Sequence, residues 1–179
     1  MEASKKHLQN RVLERLSYSY QSSGECGHVW SGTFEGLDSS DGGFFILLDR
    51  PDLELVDLCF VGTIVEEWQV HVLAALEYLR LEVKSRPGYF GLTHEAADLY
   101  ASTDLPDNVI SYLNSRDSPV RNPLFVFDES RDWSIQLLEC DFPASDCYGV
   151  LVSFHDEKPL SVSYCSDEYW AAVHEPEAE

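Results

Sequence analysis

At 179 residues, with 44% hydrophobic and 12% aromatic content, the chain is long enough to bury a core and too apolar for wholesale disorder. Lys and Arg number 12 against 32 Asp and Glu, giving a formal charge of −20 and a pI near 4.4; this disfavours direct binding to nucleic acid or anionic membranes and favours cationic protein surfaces. The imbalance is uneven: residues 1–20 carry four bases and two acids, whereas residues 122–179 carry Arg131 and Lys158 against thirteen acids.

No apolar run approaches the roughly 20 residues that cross a bilayer, and charges interrupt the N-terminal MEASKKHLQNRVLERL where a signal peptide needs an apolar core. The expectation is a cytoplasmic protein, one domain over residues 1–179, with a flexible acidic tail from about residue 172. Cys26, Cys59, Cys140, Cys147 and Cys165 are odd in number and include no CxxC pair, which reads as reduced thiols. Cys140 and Cys147 bracket a turn but are spaced more widely than zinc pairs usually are.

In chain order, Ser4 is placed to cap a first helix whose Leu8, Val12, Leu13 and Leu16 share one face. A Gly- and Ser-rich stretch follows, with HVWSGTF as a short strand and GLDSSDGG as a turn. FFILLD and LELVDLCFV read as buried strands on either side of the Arg50-Pro51-Asp52 break. Thr63 to Glu66 has the pattern of a capping box opening the longest helix, with Trp68, Val72, Ala75, Leu76 and Leu79 on its apolar stripe and Arg86-Pro87-Gly88 at its end. Thr93 caps a short helix through Ala101, and Asp104-Leu-Pro-Asp107 starts another that contains Val109, Ile110 and Leu113.

Beyond Pro123 the pattern turns to β. LFVF, WSIQLLE, YGVLVSF and PLSVSY alternate or run apolar between the turn-prone DESRD, DFPASD and HDEK. Trp133, Ile135 and Leu137 fall on one face, so the fold class expected is α+β: an antiparallel sheet with packed helices and a C-terminal β-meander.

Candidate chemistry is thin. His94, Glu95 and Asp98 approximate an HExxH helix with Asp98 in place of the second histidine, but Thr93-His94-Glu95 is also accounted for as a cap with an acid in the first turn. Cys26-Gly27-His28 places a thiol near an imidazole without a third group to orient it, and the Gly-rich stretch lacks a phosphate-cradling pattern. His71 on an apolar helix face reads as a core or boundary residue. Adjacent acids such as Glu66-Glu67, Asp128-Glu129 and Asp156-Glu157 point to different sides of a regular element and make poor acid–base pairs. No cofactor or metal is expected.

What remains is an acidic surface studded with aromatics. Asp128, Glu129, Asp132, Asp141, Asp146, Asp156 and Glu157 are the residues expected to steer a cationic partner, and Trp170, set among acids, is the exposed anchor expected to bury itself in the contact. The small acidic α+β chain with PLFVFDESRDWSIQLLE, a strand, a polar turn ending in Asp-Trp and a second strand, resembles the immunity proteins of bacterial toxin–immunity and contact-dependent inhibition systems. The resemblance covers about the last third of the chain. It implies a protein-binding inhibitor that meets a basic toxin domain, a nuclease among the options, and it carries over no site residue. Two other readings are a phage-type nucleic-acid mimic or other adaptor, and a small metal-dependent hydrolase using His94, Glu95 and Asp98.

Overall fold

The computed structural model describes residues 2–20, 27–35, 42–105, 108–113, 118, 120–145 and 149–165, which form an α+β fold. Seven strands lie side by side in sequence order: β1 (Ser17–Tyr20), β2 (His28–Gly32), β3 (Gly43–Leu48), β4 (Val120–Phe127), β5 (Asp132–Cys140), β6 (Val150–His155) and β7 (Lys158–Tyr164). All neighbouring pairs are antiparallel except β3 and β4, which run parallel. A parallel pair needs a long crossover, and here it holds α2 (Leu58–Glu66), α3 (Trp68–Ser85), α4 (His94–Ser102) and α5 (Val109–Leu113). The first helix, α1 (Glu2–Arg15), packs on α2 at Gly62, where a Cβ would stand only 3.2 Å from Val12 Cγ2.

The main core lies between the helices and one face of the sheet. Phe44, Ile46, Phe125, Phe127, Ile135, Leu137, Val152 and Phe154 from the strands meet Ile64, Trp68, Val72, Leu76 and Leu79 from α2 and α3. Trp133 is 4% exposed and sits among rings: Phe154 stacks on it at 4.3 Å, Phe127 at 5.4 Å, and His71 of α3 meets it edge-on at 5.4 Å. Such pairs contribute about 0.5–1.5 kcal/mol each beyond their buried area. The Trp133 indole N–H donates to the Asp156 carbonyl, so the ring is satisfied at its polar edge as well as its faces. His71 is buried and its pKa is lowered, chiefly by that burial, so it is held as a neutral imidazole against the aromatic rings.

The expected meander is present in β4 to β7, with Trp133, Ile135 and Leu137 facing inward. Elsewhere the local readings shift. LELVDLCFV is not a strand: Leu53–Leu55 is one 3-10 turn capped by Asp52, and α2 starts at Leu58 with Asp57 Oδ1 accepting from the Phe60 amide. Thr63 caps nothing, because its hydroxyl donates to the Cys59 carbonyl inside α2, and the chain bends by 77° at Glu67 before α3 begins. Ser4 lies inside α1 rather than at its start. Thr93 does cap α4, accepting from the Ala96 amide, whereas α5 starts one turn later than expected with Asn108 accepting from Ser111. Among the described residues no single helix is long and apolar enough to cross a membrane. The Cys147 end of the Cys140–Cys147 turn and the tail from residue 172 lie outside the described residues.

The β7 edge of the sheet is covered. On β7 the outward carbonyls of Leu160 and Val162 accept from Tyr78 Oη at 2.6 Å and Arg86 Nη2 at 3.0 Å, so α3 seals that edge. β6 opens from Gly149, whose φ is +77° and whose added Cβ would lie 1.9 Å from the Leu137 carbonyl oxygen. Gly149→Ala is therefore expected to destabilise the protein by about 1–3 kcal/mol in urea unfolding. Gly88→Ala, where a Cβ meets nothing within 4 Å, should stay within about 0.5 kcal/mol of the parent.

Candidate interaction surface

Two hairpin turns stand side by side at one end of the sheet because β5 pairs with both β4 and β6. In the first, Asp128 Oδ1 accepts from the Ser130 amide at 2.6 Å, and the Ser130 hydroxyl accepts from the Asp132 amide at 2.9 Å. A short acidic side chain that binds its own backbone two residues on is the chemistry of an Asx turn, so Asp128 builds the loop as well as charging it. In the second, Asp156 adopts φ +50°, a conformation Asp tolerates better than most residues, and its amide donates to the Arg131 carbonyl at 3.0 Å. The turns are thereby tied to each other.

Arg131 joins them to the helical crossover. Its guanidinium donates to Asp156 at 2.9 Å and to Asp57 at 3.0 Å, and stands 4.9 Å above the centre of the Phe60 ring. This arrangement lowers the Asp156 pKa, first through the hydrogen bond from Arg131, and raises that of Arg131 through the same bond. His155 Nδ1 lies 2.6 Å from Asp132 Oδ1, and its pKa is raised by that hydrogen bond and by the charge of Asp132.

Of the residues expected to steer a partner, Asp128, Glu129, Asp132, Asp156 and Glu157 converge here. Asp141 does not: it follows β5 at the opposite end of the sheet, 3.6 Å from Arg121. Asp146 and Trp170 lie outside the described residues, as do Cys26 and Cys147. Four further acids belong to this end. Asp49 follows β3, Asp52 and Asp57 serve as caps, and Glu54 lies between them; the parallel β3–β4 pairing lays this segment beside the Asp128 turn. The only cue in the chain was that Asp52 and Asp57 each precede a short apolar run, which marks a helix start but gives no hint of neighbours some 75 residues away such as Arg131.

The second face of the sheet carries a separate apolar cluster. Val29, Leu47, Leu124 and Val126 are buried, with Phe45 and Leu138 against them, and every member comes from a strand. Toward the acidic end this face hollows into a cavity of about 500 Å³, lined by Leu47, Val126, Leu151, Ser153 and Leu160 with Asp128 and Asp132 at its rim. At the other end, Arg15, Ser31, Gly32, Gly43 and Asn122 line a second hollow of about 350 Å³.

His94, Glu95 and Asp98 are exposed on α4, with Asp98 3.9 Å from Lys84. Among the described residues no three His, Cys, Asp or Glu side chains are grouped to hold a metal ion. Burial pushes the Cys140 thiol up to about 11 and the Cys165 thiol up to about 12, leaving both protonated at neutral pH. His28, set beside Cys26 in the sequence, has its Nδ1 2.7 Å from the Tyr18 hydroxyl.

The His155–Asp132 contact has a defined pH response. Protonated His155 is the form that Asp132 favours, so the contact adds to folding below the ordinary histidine pKa of about 6.5 and is lost as pH rises through the raised value. Proton-NMR titration should place the His155 midpoint above that ordinary value, and Asp132→Asn should bring it down; an unchanged midpoint in the variant would contradict the pairing. Comparison with protein-family models, curated proteins and solved structures found no match.

Proposed function

We propose that this protein is a protein-binding inhibitor that captures a basic partner at the acidic end of its sheet, in the manner of an immunity protein neutralising a cognate toxin domain. The observation that supports it is convergence: carboxylates from the β3–α2 segment, the β4–β5 turn and the β6–β7 turn gather at one end, beside few bases. The net charge of −20 extends their field. The toxin–immunity part of the reading draws on the strand–turn–strand resemblance around Asp132-Trp133.

Position along the sheet makes the reading specific. β5 runs the nine residues from Asp132 to Cys140, so Asp141 is roughly 30 Å from the proposed capture end at about 3.3 Å per residue, well beyond a Debye length of about 8 Å at physiological salt. The acidic end and Asp141 thus act as independent electrostatic sites.

The test is kinetic. With any basic protein found to be encoded beside this gene as analyte, affinity should fall as salt rises, and Asp128→Lys with Glu129→Lys should slow association about tenfold or more while changing release less. Asp141→Lys should leave association nearly unchanged. In cells, the same double reversal should weaken protection against that neighbour. Salt-insensitive binding, or equal effects of the two reversals, would overturn the assignment.

A further inference from the structure

The sheet face over which no described helix packs borders the acidic end, and we infer that a large apolar side chain of the basic partner, flanked by Lys or Arg, seats in the hollow there while its cationic neighbours meet Asp128 and Asp132. This rests on the reading of the partner as basic. It reverses the direction of anchoring expected from the sequence: the chain supplies the socket and the partner supplies the anchor.

The hollow has the size and lining of a binding site. Its volume of about 500 Å³ falls within the roughly 300–1,000 Å³ typical of ligand sites, and its lining is mainly apolar, with Ser134 and Ser153 paired side by side between the aliphatic groups and Asp128 and Asp132 at the rim. Beneath it lies a cluster built from strand residues alone, so among the described residues no helix packs over this face as α2 and α3 pack over the other. On this face β3 and β4 carry Leu47 and Val126, both buried, while β5 and β6 carry Ser134 and Ser153 beside them.

A second observation concerns Leu160. The β6–β7 register slips between Ser153 and Phe154, which leaves Leu160 as the extra residue of a β-bulge. Bulges re-aim side chains, and this one turns a leucine that is 56% exposed onto the lip of the hollow. Its backbone is fixed, because the Leu160 carbonyl accepts from Tyr78 at 2.6 Å. A pre-positioned apolar lip needs little ordering when a partner arrives. The same hydrogen bond, with that from Arg86 to Val162, closes the β7 edge to strand addition, so the partner approaches over the face rather than along the edge.

Charge selects the occupant. A second copy of this chain would bring its own Asp128 and Asp132 against the first, whereas Lys or Arg beside an apolar anchor satisfies rim and floor together.

Three synthetic peptides serve as probes: a lysine peptide with a central tryptophan, the same peptide with serine in place of tryptophan, and a glutamate peptide with the central tryptophan. Titrated into isotopically labelled protein, the first is expected to shift the NMR signals of Leu47, Val126, Leu151 and Leu160 along with Asp128 and Asp132. The second should shift the acidic end alone and bind about tenfold more weakly, and the third should not bind. Leu160→Ser, at an exposed position and with circular dichroism as the check on folding, should abolish the preference for tryptophan over serine. Equal affinity for the two lysine peptides, or a preference that survives Leu160→Ser, would overturn the socket while leaving the capture end standing. Loss of salt-dependent binding by both lysine peptides would instead remove the capture reading. Binding of the glutamate peptide in the hollow, or concentration-dependent dimerisation that shifts the same residues, would assign the face to a different occupant and likewise overturn the inference.

Discussion

The parallel pairing of β3 with β4 is the constraint from which the other features follow. Antiparallel neighbours are joined by tight turns, but a parallel pair obliges the chain to travel the length of the sheet and return. Four helices fill that journey and settle on one face, which leaves the opposite face without a helical layer among the described residues. Parallel strands also end at the same place. The exits of β3 and β4, each followed by acids, therefore sit together, and the β6–β7 turn joins them because β5 and β6 complete the meander. One pairing choice thus fixes both the acidic end and the strand-only apolar face beside it.

Several of the clustered carboxylates have local structural work. Asp57 caps α2, Asp128 closes the turn after β4, and Asp156 turns the chain into β7 with a left-handed backbone. Arg131 spans Asp57 and Asp156, but exposed ion pairs of this kind are screened by water and salt and contribute little to stability. Its larger effect is geometric: through Asp57 and Asp156 it ties the crossover to both hairpins. Arg50, Arg131 and Lys158 offset only part of a field set by Asp49, Asp52, Glu54, Asp57, Asp128, Glu129, Asp132, Asp156 and Glu157, so organisation is gained without losing the sign of the surface.

Regular elements with a strong period were legible in the sequence. The alternation of Trp133, Ile135 and Leu137 gave their inward face, and Thr93 gave the start of α4. Local cues failed where two of them competed. LELVDLCFV has the apolar density of a buried strand, yet Asp52 and Asp57 each offer a carboxylate to a free amide, and those hydrogen bonds decide for a 3-10 turn and then a helix. Thr63 and Glu66 fit a capping box by spacing, but an amide already bonded within α2 needs no cap. For the surface, the acids of the two C-terminal turns could be named from sequence, whereas Asp49, Asp52, Glu54 and Asp57 join them only through a long-range pairing. The apolar second face was hidden for a related reason. The continuous apolar runs FFILL and LFVF mark strands buried on both faces, as β3 and β4 are, but the pattern alone does not tell which face the helices take.

The acidic end and the hollow beside it divide the work of binding by range. Carboxylate attraction acts over about a Debye length and raises the rate of encounter, but each exposed pair it forms is worth little once made. Apolar contact acts only at touching distance; burying a single Trp or Phe of 150–250 Å² at about 25 cal/mol per Å² is worth about 4–6 kcal/mol before the costs of association. A surface with acids alone would gather basic proteins quickly and hold none of them selectively. A hollow alone would hold apolar side chains of any neighbour. Placed side by side on rigid strands, with Leu160 fixed by its hydrogen bond to α3, the two demand a partner that presents cation and apolar anchor together, and selectivity arises from that conjunction rather than from either term.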